Sequence, residues 1–115
     1  LQARHVQSGG NRDMGMVRHM VICRFKPETS SAQADQLLSL ILGMKGKIPG
    51  ILGIEAGPYE SPEGMNADYT HGFLVTFESP AARDAYLPHP EHVVVRDALL
   101  PHIDSVIAFD FEVRA

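Results

Sequence analysis

The chain is short of most features that would place it in a specialised class. It has one cysteine in 115 residues, so no disulfide forms within it, and Cys23 sits in an apolar strand pattern as a buried thiol, which fits a reducing cytoplasm. Its 10 basic residues are outnumbered by 14 acidic ones and form no run or stripe, which argues against a nucleic-acid partner. No stretch approaches the ~20 apolar residues of a membrane span, and no apolar segment near the start resembles a signal peptide. Gly43, Gly46, Gly50, Gly53 and Gly57 do not follow a strand and open a helix at the spacing a phosphate-binding loop requires. The chain therefore reads as cytoplasmic, with neither membrane nor nucleic acid as a partner.

What is present is one domain's worth of apolar sequence, at 44% hydrophobic residues. The chain opens on leucine and its first residues are polar. Residues 1–15 therefore read as an N-terminal extension, in part a remnant of cloning, with Met14 and Met16 as candidate natural starts, and residues 16–115 as a single domain. Met16 to Phe25 alternates His19, Val21, Cys23 and Phe25 with Met20 and Ile22, a strand apolar on both faces. Ser30 and Gln33 have capping-box spacing ahead of Ala34, Leu37, Leu38, Ile41 and Leu42, which recur as one face of a helix ended by Gly46 and Pro49. Ile51 to Tyr59 and Thr70 to Phe77 read as strands, with a Pro- and Gly-containing loop between them. Ser79-Pro80 starts a short helix through Tyr86; Pro88 and Pro90 break it, and Pro90 opens another across Val93 to Leu99. Ser105 to Val113 closes the domain as a strand with Ile107, Phe109 and Phe111 on one face.

This order of strand, helix, strand, strand, helical segment and strand predicts an α+β ferredoxin-like sandwich, with helices on one face of the sheet. Strands that are apolar on both faces leave the other sheet face in need of cover. The expected cover is a second copy, giving a sheet-to-sheet homodimer.

Histidine and tyrosine carry the chemistry. Tyr86, His89 and His92 fall at the break before the last helix, where His92 and Tyr86 form either an acid/base pair or a structural hydrogen-bonded pair. His19 shares a strand face with Val21 and Cys23. If that face meets the helix bearing Leu37 and Ile41, His19 is either the polar wall of an apolar pocket or a core histidine bonded to backbone or to His71. His71, alternating with Phe73, is a second such wall or a structural residue. His89, between two prolines, reads as a turn or cap, and His5 and His102 as surface residues. A metal site is disfavoured, because His89 and His92 lack a carboxylate or thiolate companion at a recognised spacing.

Arg18-His19-Met20-Val21 leading to Phe25-Lys26, Tyr69-Thr70-His71 to Thr76-Phe77-Glu78-Ser79, and Tyr86 with His89-Pro90-Glu91-His92 together resemble the stress-responsive α/β-barrel (Dabb) family over roughly residues 16–113. Within it the chain is similar to the plant polyketide cyclase branch. It departs from that branch at Pro88, which replaces a bulky apolar residue, and at Val95 and Ile103, which stand where the branch has large aromatics. The resemblance implies a dimeric α/β barrel and an apolar pocket for an aromatic or polyketide-like carbonyl compound, with His19, Val21, Cys23, Leu37, Ile41, His71, Phe73 and Val95 as candidate lining. It implies cofactor-free, aldol-type ring closure with His92 and Tyr86 as the catalytic pair. Two other readings stay open: a non-catalytic stress or ligand-carrier homodimer, and a cofactor-free monooxygenase.

Overall fold

The structure, a computed structural model, describes residues 13–115; His5 and most of the expected N-terminal extension lie outside the described residues. The elements run β1 (Val17–Phe25), α1 (Ser31–Leu42), β2 (Ile51–Pro58), β3 (His71–Phe77), α2 (Pro80–Tyr86), α3 (Pro90–Leu99) and β4 (Ile103–Glu112). Among the described residues they form one four-stranded sheet in the order β2-β3-β1-β4, with each neighbouring pair antiparallel. This is the expected ferredoxin-like α+β arrangement.

Local chemistry sets the boundaries. Ser30 and Gln33 form a reciprocal capping box, with Gln33 N–H donating to Ser30 Oγ at 3.1 Å and Ser30 N–H to Gln33 Oε1 at 2.9 Å. The α-geometry ends at Leu42, earlier than the glycine at 46 suggested, because Gly43–Gly46 tightens into a 3₁₀ turn. Ser79 Oγ accepts from Ala82 N–H at 3.1 Å, and Pro80 follows at the first helical position. Gly50 has φ +89°, and a Cβ there would stand 2.6 Å from the Cβ of Ala82, so glycine lets the entry to β2 pass directly beside α2. All four strands differ from expectation by a residue or two, with β1 beginning at Val17 and β2 ending at Pro58. β3 begins at His71, although Thr70 still donates to Cys23 O and accepts from Tyr59 N–H, both at 2.8 Å. β4 begins at Ile103, across an irregularity at Arg24/Phe25.

Register then decides which side chains meet. On the helix-covered face, His19 lies opposite Val75 and Asp110, and Val21 opposite Phe73 and Ala108. On the other face, Met20 lies between Leu74 and Phe109, and Ile22 between Gly72 and Ile107. The core forms where the first face meets the helices, with Phe77, Val75, Ile41, Met44 and Tyr86 fully buried. Among the described residues no helix covers the second face, and Met20, Ile22, Ile107, Phe109 and Phe111 are exposed there, Phe109 to 62%.

Candidate functional site

A cavity of about 240 Å³ opens between α3 and the β1–β4 side of the sheet. Its floor is made of buried residues, among them His19, Val21, Ile41, Met44 and Tyr86. Phe73, His92 and Val95 also line it, so seven of the ten residues singled out in the sequence meet at one cavity: His19, Val21, Ile41, Phe73, Tyr86, His92 and Val95. Cys23 and Leu37 do not line it. Both point to the helix-covered side but are packed into the core beyond it, and burial pushes the Cys23 thiol up to about 11, which keeps it protonated. His71 is elsewhere too. Its Nδ1 is 2.9 Å from Thr70 Oγ1, its ring meets Phe25 edge-on at 4.8 Å, and it borders a separate depression with Asp35 and Pro58.

The break between α2 and α3 aims the two principal side chains. Tyr86 is the last residue of α2 and His92 lies in the first turn of α3, so the short link stacks their rings with centroids 4.0 Å apart. His92 Nδ1 is 2.9 Å from the Leu87 carbonyl oxygen, an acceptor only. Nδ1 therefore carries the proton and donates, and in the neutral ring Nε2 is left with its lone pair. His89 is the N-cap of α3, with its Nδ1 accepting from Glu91 N–H at 3.1 Å, the capping role expected of it. His102, expected on the surface, is half-buried, with its Nδ1 3.1 Å from Thr29 Oγ1.

His19 has neither of the partners its sequence context suggested. Its Nδ1 stands 2.6 Å from Asp110 Oδ1, and Arg83 Nη1 donates to Asp110 Oδ2 at 2.6 Å, so a row of Arg83, Asp110 and His19 runs from α2 through β4 to β1. The His19 ring meets Tyr86 edge-on at 5.6 Å. Sequence reading missed Asp110 and Arg83, as well as the lining residues Met44 and Arg96. A signal existed for Asp110: with Val106 and Ala108 it occupies the phase of β4 opposite Ile107, Phe109 and Phe111, an acid on the face that turns toward the helices. Its partner is visible only in the register, which sets it directly opposite His19.

Electrostatics sort these groups. Burial and the negative charge of Asp110 push the Tyr86 phenol well above its ordinary range, so it stays a hydrogen-bond donor. His92 is held below the ordinary imidazole range, first by burial, with the charges of Arg96 and His19 adding to it against the bond to Leu87. Burial works against the Asp110 carboxylate, but the bonds from His19 and Arg83 outweigh it and hold the group below the usual carboxylate range. Both shifts make the fold acid-sensitive. A histidine whose folded value is depressed binds fewer protons folded than unfolded, so stability falls as pH drops below its unfolded value of about 6.5. Asp110 contributes stability above the ordinary carboxylate range, which is lost as pH falls through its depressed folded value. Melting temperatures are therefore expected to decline from pH 8 to pH 5. His92→Gln should flatten that segment, with His71, also depressed by burial, supplying the remainder, while leaving the steeper loss at lower pH. An unchanged slope between pH 7 and pH 5 in the variant would contradict the assignment to His92.

Among the described residues, no three His, Cys, Asp or Glu side chains cluster as a metal site would require. No described helix is long and apolar enough to cross a membrane.

Comparison with known proteins adds an independent line. Olivetolic acid cyclase of Cannabis sativa is 28% identical over 98 residues, spanning 85% of this chain and 97% of the cyclase. Among solved structures, a dimeric ferredoxin-like protein of unknown function from Jannaschia superposes with a TM-score of 0.77 at 29% identity, over 86% of this chain and all of that one. Hydroxynitrile lyase from Passiflora edulis superposes with a TM-score of 0.80 over 86% of this chain and 94% of its own; at 22% identity that likeness is one of fold. Residues 17–113 match the model of the stress responsive A/B barrel domain, and the chain belongs to that family.

Proposed function

We propose that the cavity binds a small, largely apolar carbonyl compound and that the protein performs acid/base chemistry on it without a cofactor. The observation that carries this reading is the His92 bond to the Leu87 carbonyl oxygen. It commits Nδ1 as donor and leaves Nε2 as a base beside an apolar cavity and a stacked phenol. In the proposed step His92 Nε2 takes a proton from a carbon between two carbonyl groups. The C–H electron pair moves into the adjoining C–C bond, and the carbonyl π pair moves onto oxygen. Tyr86, kept neutral, donates to the resulting enolate oxygen, with His19 as a second polar group on the same wall. The likeness to a cyclase supports chemistry of this kind.

We further propose that the working form is a homodimer joined through the open sheet face. The exposed row of Met20, Ile22, Ile107, Phe109 and Phe111 supports it, as does the dimeric description of the Jannaschia relative. The test of the chemistry is hydrogen–deuterium exchange at the central carbon of a 1,3-diketone, followed by NMR. Exchange that is faster with the protein than with buffer, and saturable in the diketone, supports the enzyme reading. Saturable binding without exchange would favour a ligand carrier instead.

A further inference from the structure

Two arginines approach the cavity, and they differ in how far they are engaged. Arg83 is satisfied: it donates to Asp110 Oδ2 at 2.6 Å and to Asp84 Oδ1 at 2.9 Å. Arg96 is not held in the same way. Its bonds among the described residues run through Nε and Nη2 to Asp97 Oδ1 at 3.3 and 3.2 Å, between two exposed neighbours on one helix, a pairing that contributes little. Asp97 does not line the cavity, whereas Arg96 does. The exposed rim around Arg96 is apolar, formed by Leu87, Leu100, Val106 and Ala108. Among the described residues Arg96 is thus the one lining residue with a permanent charge, and it stands one turn of α3 beyond His92, on the same helix face. Its charge is felt at His92, where it disfavours the imidazolium.

We infer that Arg96 is the carboxylate anchor of this cavity, and that its ligand is a compact carbonyl compound bearing a carboxylate, with the acid at the rim and the reacting carbonyl groups between His92, Tyr86 and His19. The proposal rests on the reading of this cavity as the ligand site and narrows it to a substrate class. A guanidinium offers paired donors that match a carboxylate, and no other charged lining residue among those described competes for an acid at this rim. Size restricts the ligand further. At about 240 Å³ the cavity is below the ~300–1,000 Å³ usual for ligand pockets, which suits a ring with a short acid arm better than a long chain.

The experiment compares benzoylpyruvate, an aromatic 1,3-dicarbonyl acid, with its methyl ester, which keeps the ring and both ketones but lacks the charge. Binding of each is measured by calorimetry, and exchange at the central carbon by NMR. The unmodified protein should bind the acid at least about tenfold more tightly than the ester, a difference of ~1.4 kcal/mol. Arg96→Gln should remove that preference by weakening binding of the acid about tenfold more than binding of the ester, and Arg96→Lys should restore part of it. Equal affinity for acid and ester, or a preference that survives in Arg96→Gln, would overturn the proposal. If the ester is nevertheless bound and exchanged, the acid/base reading stands without it. Binding of neither compound would remove the cavity reading and this inference together.

Discussion

Replacing His92 by glutamine is expected to slow proton exchange of a 1,3-diketone probe by at least about 100-fold, the lower end of what a positioned general base contributes. Glutamine can still donate from its amide to the Leu87 carbonyl oxygen, so the junction between α2 and α3 keeps a polar bond, but nothing remains to accept a carbon-bound proton. The stability cost should be about 1 kcal/mol, that of one altered hydrogen bond on a half-buried side chain. Tyr86→Phe provides the complementary case: the ring that stacks on His92 and meets Phe77 edge-on is retained and only the donor is lost. Exchange in that variant should also fall while the fold persists. The outcome fatal to the acid/base reading is a His92→Gln protein that exchanges the probe as fast as the unmodified one. A variant that unfolds near room temperature would instead make His92 a structural residue.

The second large effect is expected at the open sheet face. Sedimentation equilibrium at micromolar concentration should give twice the 12.6 kDa chain mass, and Phe109→Glu should return it to a single chain. Phe109 is exposed and lies beside Met20 in the sheet, so a glutamate there is harmless to the isolated subunit, with its charge in water. In a sheet-to-sheet dimer the same carboxylate would be buried without a partner, at a cost of several kcal/mol against an interface of roughly 800 Å² per subunit. Circular dichroism should show an unchanged fold. A monomeric mass for the unmodified protein would end the proposal and leave this apolar face without an explanation.

The sequence made the fold legible because each element carried its own local signal. Ser30 with Gln33, Ser79-Pro80 and Pro90 marked where helices begin, and the alternation through Val17 to Phe25 separated the two faces of β1. Boundaries were less legible where geometry changes gradually, as where α1 narrows into a 3₁₀ turn after Leu42. The site was legible to the extent that its members were close in sequence or shared a strand face. Tyr86 and His92 belong to one turn, and His19, Val21 and Phe73 follow from alternation and register. Cys23 shares that face too, but two residues along a strand is enough to leave a cavity about one ligand long. Leu37 shows the same limit on a helix, one turn before Ile41. Asp110 was hidden for a different reason. Its partner lies 91 residues away, and no local pattern distinguishes an acid that meets a histidine from one that meets water.

That separation has a consequence for the order in which the protein acquires its site. Among the described residues β4 is an edge strand paired with β1, which is synthesised long before it, while β1 also pairs with β3. A nascent chain that has not yet made β4 has β1 as an open edge among the described strands, and His19 without Asp110. Such a chain is able to form the β2-β3-β1 ladder and to pack α1, yet the Arg83, Asp110 and His19 row and the β4 wall of the cavity are still missing. Pairing across so long a loop is the slow part of folding for a chain of this kind. Ligand binding should accordingly report the docking of β4 rather than collapse of the core, and a chain ended at His102, just before β4, should lose it while much of the secondary structure survives.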